Sequence, residues 1–217
     1  PLHAAAPTVT LSTASIRIIE NGGVTGVTAT LNASSTETVT VTLGKKGTAT
    51  DSNDYILANP TITIPRGSLK GATFLTAVDD TMDEPNETVI LSITAVSGGG
   101  VLASAEQERV VIISDNDPTP NVSLSVNPTS ITELGGVATV TATIDAVSGQ
   151  TVTVNLAKSG TASTAKGVDY TTSQEAIIIQ VGQTKGSVTL TAVDDLLFEP
   201  SETVILGVSN AKNAKAL

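Results

Sequence analysis

The chain contains the same long motif twice. Residues 77–93 read AVDDTMDEPNETVILSI and residues 192–208 read AVDDLLFEPSETVILGV, with 11 of the 17 positions identical. A repeat of this length, with a two-residue insertion in one loop, indicates duplicated domains rather than a solenoid. We therefore predict two domains, residues 1–118 and 119–217, joined by a polar stretch that two prolines stiffen. Shorter motifs return at shifts of 113 or 115 residues: Glu20-x-Gly-Gly, Gly47-Thr48-Ala49 and Asp54-Tyr55.

Alternating apolar and polar residues predict that both copies are built from strands. In residues 39–43, for example, Val and Leu alternate with Thr, and no segment has a sustained helical period. Short strands at this spacing favour an all-β fold of two tandem, antiparallel, immunoglobulin-like sandwiches of about seven strands each. The strands predicted in the first copy are residues 9–19, 24–31, 38–44, 59–64, 69–78, 87–96 and 109–114.

The second copy ends before any counterpart of the last strand of the first copy. That strand contains the apolar run of residues 110–113, and no such run follows residues 192–208. Because the chain opens on Pro1 rather than Met, we expect it to be part of a longer or processed chain. The missing strand then comes from a continuation, or from a neighbouring subunit by strand addition, which would build a filament.

The charge balance favours cations as partners. Asp and Glu number 21 against 11 Lys and Arg, a net charge of -10 at pH 7. A strongly anionic surface repels nucleic acid and acidic membranes, and no apolar run approaches the roughly 18 residues of a membrane span. With no cysteine and a single histidine, His3, the sequence offers no zinc–thiolate site and no Ser-His-Asp arrangement. We therefore expect no catalytic activity.

Most of the carboxylates are expected to gather at one end of each sandwich. If every strand crosses the sandwich once, the first, third and fifth loops lie at the end where the last strand exits. Clustering many like charges there costs folding energy unless a cation neutralises them. These positions hold 15 of the 21 carboxylates: Glu20, Asp54, Asp79, Asp80, Asp83, Glu84, Glu87, Asp115 and Asp117, then Glu133, Asp169, Asp194, Asp195, Glu199 and Glu202.

Calcium is the cation that such clusters suit. It takes about six to eight oxygen ligands in flexible geometry, whereas magnesium usually binds through one or two carboxylates and keeps its waters. Softer metals favour His or Cys. The alternative is that each acidic loop only keeps its domain soluble, but three convergent loops repeated in two copies favour a metal site.

Taken together, the motifs resemble the Calx-beta module. They are Gly-Thr-Ala followed by Asp-Tyr, then Asp-Asp with Glu-Pro-x-Glu-Thr, then Asp-Asn-Asp-Pro, which the second copy lacks. The resemblance implies an immunoglobulin-like sandwich with calcium at the end where the last strand exits. Such modules occur in the regulatory loop of sodium/calcium exchangers and in large bacterial surface proteins. The implied ligands are Glu20, Asp54, Asp79, Asp80, Glu84, Glu87, Asp115 and Asp117 in the first copy, and Glu133, Asp169, Asp194, Asp195, Glu199 and Glu202 in the second.

Several functions fit these features. We expect a calcium-binding structural or adhesive repeat of a bacterial extracellular or cell-surface protein, in which calcium at Asp115 and Asp117 stiffens the joint between the copies. The alternatives are a regulatory calcium sensor, a filament subunit that exchanges strands, and a spacer that binds no calcium. The expected dissociation constant for calcium distinguishes two of these roles. It is roughly 10⁻⁴–10⁻³ M for an extracellular module and roughly 10⁻⁷–10⁻⁵ M for a regulatory sensor. The expected partners are calcium ions and neighbouring repeats or subunits, without nucleic acid or direct membrane insertion.

Overall fold

A computed structural model describes residues 7–99, 101–102, 107–164, 168–195 and 199–216. The chain divides into two compact units, one of Pro1–Asp80 and Pro85–Asn116, the other of Thr81–Glu84 and Asp117–Leu217. Every regular element in the described ranges is a β-strand. None of these residues therefore belongs to a helix long and apolar enough to cross a membrane.

The described residues of the first unit form ten strands: β1 (Thr8–Thr13), β2 (Arg17–Ile19), β3 (Val24–Leu31), β4 (Val39–Gly47), β5 (Tyr55–Leu57), β6 (Thr61–Ile64), β7 (Lys70–Ala77), β8 (Glu87–Ser97), β9 (Val101–Leu102) and β10 (Glu108–Ser114). They form two sheets, with the orders β5-β7-β3-β1-β9 and β2-β10-β8-β4-β6. Most neighbours are antiparallel, whereas β9 lies parallel to β1 and β2 lies parallel to β10.

The core of the first unit lies between these two sheets. In β3, Val27 and Ala29 point inward and are fully buried, as the alternation in the sequence predicts. Val41 and Leu91 bury their side chains from the other sheet, and all four belong to one apolar cluster. Two sheets that share one apolar layer form a sandwich.

In the part of the second unit that the structure describes there are eight strands: β11 (Asn121–Asn127), β12 (Val137–Ile144), β13 (Val152–Gly160), β14 (Tyr170–Thr172), β15 (Ala176–Ile179), β16 (Lys185–Ala192), β17 (Val204–Lys212) and β18 (Lys215–Ala216). One sheet has the order β14-β16-β12-β11-β18 and repeats that of the first unit. The other, β15-β13-β17, has three strands, since its described residues include no counterpart of β2 or β10. The predicted fold class, two tandem all-β sandwiches, is confirmed.

The structure divides one predicted strand in two. The predicted strand of residues 9–19 is two strands in the structure: β1, which ends at Thr13, lies in one sheet, and β2, which begins at Arg17, lies in the other. The chain changes sheets near Ser15, whose hydroxyl donates to the carbonyl oxygen of Arg17 at 2.6 Å, and Ile16 is 70% exposed there. The buried apolar residues lie at odd positions in β1 (Val9 and Leu11) and at an even position in β2 (Ile18), so the alternation changes phase at the crossing, a signal that the single predicted strand overlooked. The short strands β5 and β9 were also not predicted, because two or three residues carry too little periodicity.

Candidate metal centres

Three carboxylates of the second copy come together beside β14 and β17. One oxygen each from Asp169, Glu199 and Glu202 lies within 4.8 Å of the other two. We call this set the second-copy triad. The backbone holds Asp169 at two points: the amide of Ser163 donates to its Oδ2 at 2.5 Å, and the amide of Val193 donates to its carbonyl oxygen at 2.9 Å.

The first copy contains the equivalent set. Asp54, Glu84 and Glu87, here called the first-copy triad, meet the same 4.8 Å limit and are half-buried. Each lies 115 residues before its counterpart. Asp54 is held like Asp169, since the amide of Thr50 donates to its carboxylate and the amide of Val78 donates to its carbonyl oxygen at 3.0 Å. The same local geometry has therefore been kept in both copies.

A third group consists of Glu20, Asp115 and Asp117, again with oxygens within 4.8 Å of one another. Glu20 is the most buried of the three, at 7% exposure, and its amide donates to the carbonyl oxygen of Ser114 at 2.9 Å. The amide of Asp115 donates to Oδ1 of Asn86 at 3.1 Å. Pairing between β2 and β10 thus brings residues 95 to 97 positions apart to the same place.

The remaining predicted ligands lie outside these three groups. Asp79, Asp80 and Asp194 are exposed, and Oδ1 of Asp79 accepts a bond from the Asn116 side chain at 3.5 Å. Glu133 and Asp195 are close enough for their charges to act on Glu199. As ligands, these five residues stay predictions, as do the nine that form the three groups.

Sequence reasoning overlooked the threonines that position the triads. The amide of Thr88 donates to Oγ1 of Thr48 at 2.9 Å, and the amide of Thr203 donates to Oγ1 of Thr161 at 2.8 Å. These bonds tie each Gly-Thr-Ala motif to the threonine that follows Glu87 or Glu202. The repetition of both motifs was visible in the sequence, but their contact was not.

Gly47 allows this close approach, and we expect Gly47→Ala to destabilise the first unit by about 2 kcal/mol or more. Its φ is +126°, and an added Cβ would overlap the carbonyl oxygen of Thr88. Gly26 is the matched control, because a Cβ added there would lie 3.9 Å from its nearest neighbour, Cβ of Ala14, and its φ is outside the left-handed region. Urea denaturation measures both variants. Equal midpoints for the two would contradict a special need for glycine at Gly47.

Loss of hydration and nearby negative charge raise the pKa values of the two glutamates of the second-copy triad. Partial loss of hydration, and then the charge of Asp169, raise the pKa of Glu199 above its ordinary value of 4.5. The pKa of Glu202 is raised by loss of hydration, by a hydrogen bond with Asp169 and by the neighbouring charges. Glu199 and Glu202 thus ionise less readily than free glutamates, an electrostatic cost that a bound cation would relieve.

Comparison with known proteins finds one family in both copies. The model of the Calx-beta domain matches residues 3–117 and 115–217. Adhesion G-protein coupled receptor V1 of Danio rerio is 36% identical over 95 residues, which are 43% of this chain and 2% of that receptor. The crystal structure of CBD12 from CALX1.2 is 18% identical, with a TM-score of 0.44 over 92% of this chain and 80% of that one. That of the calcium binding domain CBD12 of CALX1.1 is 19% identical, with a TM-score of 0.42 over 88% and 76%.

Proposed function

This chain belongs to the Calx-beta family, whose model matches both of its halves, and from that premise we propose that it is a pair of calcium-binding modules. Their proposed role is structural or adhesive, within a larger extracellular or cell-surface protein. The relative from Danio rerio is named an adhesion receptor, which supports this setting. The chain spans about 2% of that relative's length. The proposed role is therefore supported mainly by membership of the family and by the carboxylate groups.

The observation that carries the proposal is the recurrence of one carboxylate triad in both copies. Ligands of calcium lie at about 2.3–2.6 Å from the ion, so two ligand oxygens on one ion are at most about 5 Å apart. The oxygens of each triad lie within 4.8 Å of one another. Carboxylate oxygens are hard ligands that suit calcium. The residues present therefore fit a calcium ion, with Asp169, Glu199 and Glu202 as ligands in the second copy.

The proposal is tested by calorimetric titration of the chelator-stripped chain with calcium, with magnesium as the control. We expect saturable calcium binding that magnesium does not reproduce. A dissociation constant of roughly 10⁻⁴–10⁻³ M supports a structural module, and one of 10⁻⁷–10⁻⁵ M supports a sensor instead. No heat and no thermal shift in millimolar calcium would make the chain a spacer without metal. Two further points stay predictions: calcium stiffens the joint between the copies, and the protein is bacterial.

Calcium affinity of the second copy should fall as the pH is lowered. A proton competes with the ion for a glutamate, and the raised pKa values of Glu199 and Glu202 place this competition above pH 4.5. Without metal the dependence runs the other way: the stability tied to these two groups is present below pH 4.5 and is lost as the pH rises through their raised pKa values. Titrations at a series of pH values measure the effect, and Glu202→Gln should reduce it. Constant affinity down to pH 4.5 would contradict the assignment.

A further inference from the structure

One loop has the same backbone geometry in both copies. In the first unit it joins β2 to β3, and the amide of Gly22 donates to the carbonyl oxygen of Glu20 at 2.5 Å. In the second unit the amide of Gly135 donates to the carbonyl oxygen of Glu133, also at 2.5 Å. The φ angles of Gly22 and Gly135 are 64° and 66°. Any difference in the chemistry of the two loops therefore comes from their side chains.

The residue before the glycine differs between the copies. It is Asn21 in the first copy and Leu134 in the second. Asn21 is exposed and Leu134 is 78% exposed, so core packing does not select this side chain. Asn21 is also the one asparagine in the sequence that glycine follows. An asparagine side-chain amide is most readily attacked by the next main-chain nitrogen when that residue is glycine, because glycine has no Cβ to hinder the approach.

The surroundings of Gly22 leave room for that attack. A Cβ added to Gly22 would meet nothing within 4 Å, so there is space for the five-membered ring that the reaction forms. The bond from Gly22 to Glu20 closes a γ-turn, and rotation about the one residue between them opens it. The amide of Glu20 meanwhile stays bonded to the carbonyl oxygen of Ser114, at 2.9 Å. The attack therefore needs a change at the tip of the loop and no unfolding of the sandwich.

We propose that Asn21 is a site of spontaneous deamidation. The main-chain nitrogen of Gly22 bonds to Cγ of Asn21, and its proton passes through water to the side-chain nitrogen, which leaves as ammonia. Water then adds to either carbonyl of the succinimide and breaks its bond to the ring nitrogen, which gives aspartate or isoaspartate. Each product carries a new carboxylate next to Glu20, which is 7% exposed. The first copy thus gains negative charge with time at a position where the second copy has Leu134.

The test is incubation of the full 217-residue chain at mildly alkaline pH in chelator, followed by trypsin digestion and mass spectrometry. One tryptic peptide, residues 18–45, contains both Asn21 and Asn32. Asn32 is also exposed, but alanine follows it and its Oδ1 accepts the amide of Thr8 at 2.8 Å. We expect Asn21 to convert at least about tenfold faster than Asn32, a difference in barrier of about 1.4 kcal/mol. Chromatography should separate the aspartate and isoaspartate products, which have the same mass.

The two copies provide matched variants. Asn21→Leu gives the first copy the residue of the second and should abolish the fast conversion. Leu134→Asn should create a second site that converts at a rate comparable to that of Asn21, because the backbone of the loop is the same. Both side chains are exposed, so neither substitution removes a contact of the core.

Three results would overturn the proposal. The first is equal conversion at Asn21 and Asn32 in the folded chain. The second is conversion of Asn21 in the isolated peptide of residues 18–45 but not in the folded chain, since the fold would then protect the loop. The third is a Leu134→Asn chain that does not convert at residue 134. Because the incubation is run in chelator, a chain that binds no calcium still deamidates, and failure of this inference is separate from failure of the proposed function.

Discussion

Asp169→Asn is expected to weaken calcium binding at the second copy by about tenfold or more while leaving the first copy unchanged. The substitution removes one charge from the triad but keeps an oxygen that can accept the amide of Ser163. Charge count is a main determinant of calcium affinity in oxygen-ligand sites. Calorimetric titration of this variant should therefore show that the calcium sites of the second copy are lost and those of the first copy are kept.

The repeat provides the complementary variant. Asp54→Asn should produce the opposite pattern, with loss at the first copy and retention at the second, since Asp54 and Asp169 are related by the shift of 115 residues. The double variant should lose both classes. The second copy should also lose its calcium-dependent thermal shift in Asp169→Asn, because an ion at ten times its dissociation constant adds about 1.4 kcal/mol of stability.

Glu37→Gln is the control for net charge. Glu37 is exposed on the loop between β3 and β4 and belongs to none of the three carboxylate groups. Its substitution changes the charge of the chain by the same amount as Asp54→Asn. If both variants lower calcium affinity equally, the ion is held by the general negative field, and the triads are not sites.

The sequence predicts that the carboxylates gather at one end of each copy, but it does not predict how they divide into groups. Counting strands placed Glu20, Asp54 and Glu87 at the same end of the first copy. The structure separates Glu20 into one group and the other two into another. Which carboxylates meet depends on side-chain direction at each turn, and β2 sets that direction for Glu20. Because the split between β1 and β2 was not predicted, this division could not be predicted either.

The paired motifs show a different limit. The repetition of Gly47-Thr48-Ala49 in the second copy is visible in the sequence. The repetition does not indicate, however, which other segment of the chain the tripeptide contacts. The bond from the amide of Thr88 to Thr48 joins residues 40 positions apart. Strand periodicity reports which side chains face the core, as it does for Val27 and Ala29 in β3. It carries no information about which loop touches which.

Leu91→Ala is expected to cost the first unit about 2–5 kcal/mol, the range for removing a fully buried leucine side chain. Leu91 is 0% exposed and lies in β8, between two paired strands. Its counterpart Leu206 is half-buried on the edge strand β17. Leu206→Ala should therefore cost roughly half as much or less, since water already reaches part of the side chain.

Each unit carries its own reporter for this comparison. The chain has two tyrosines and no tryptophan; Tyr55 is buried in the first unit and Tyr170 in the second. In a Tyr170→Phe background, Tyr55 is the remaining tyrosine, so its fluorescence during urea denaturation reports the unfolding of the first unit. In a Tyr55→Phe background, the fluorescence of Tyr170 reports the unfolding of the second unit. If Leu206→Ala costs as much as Leu91→Ala, the edge of β17 is already covered in solution.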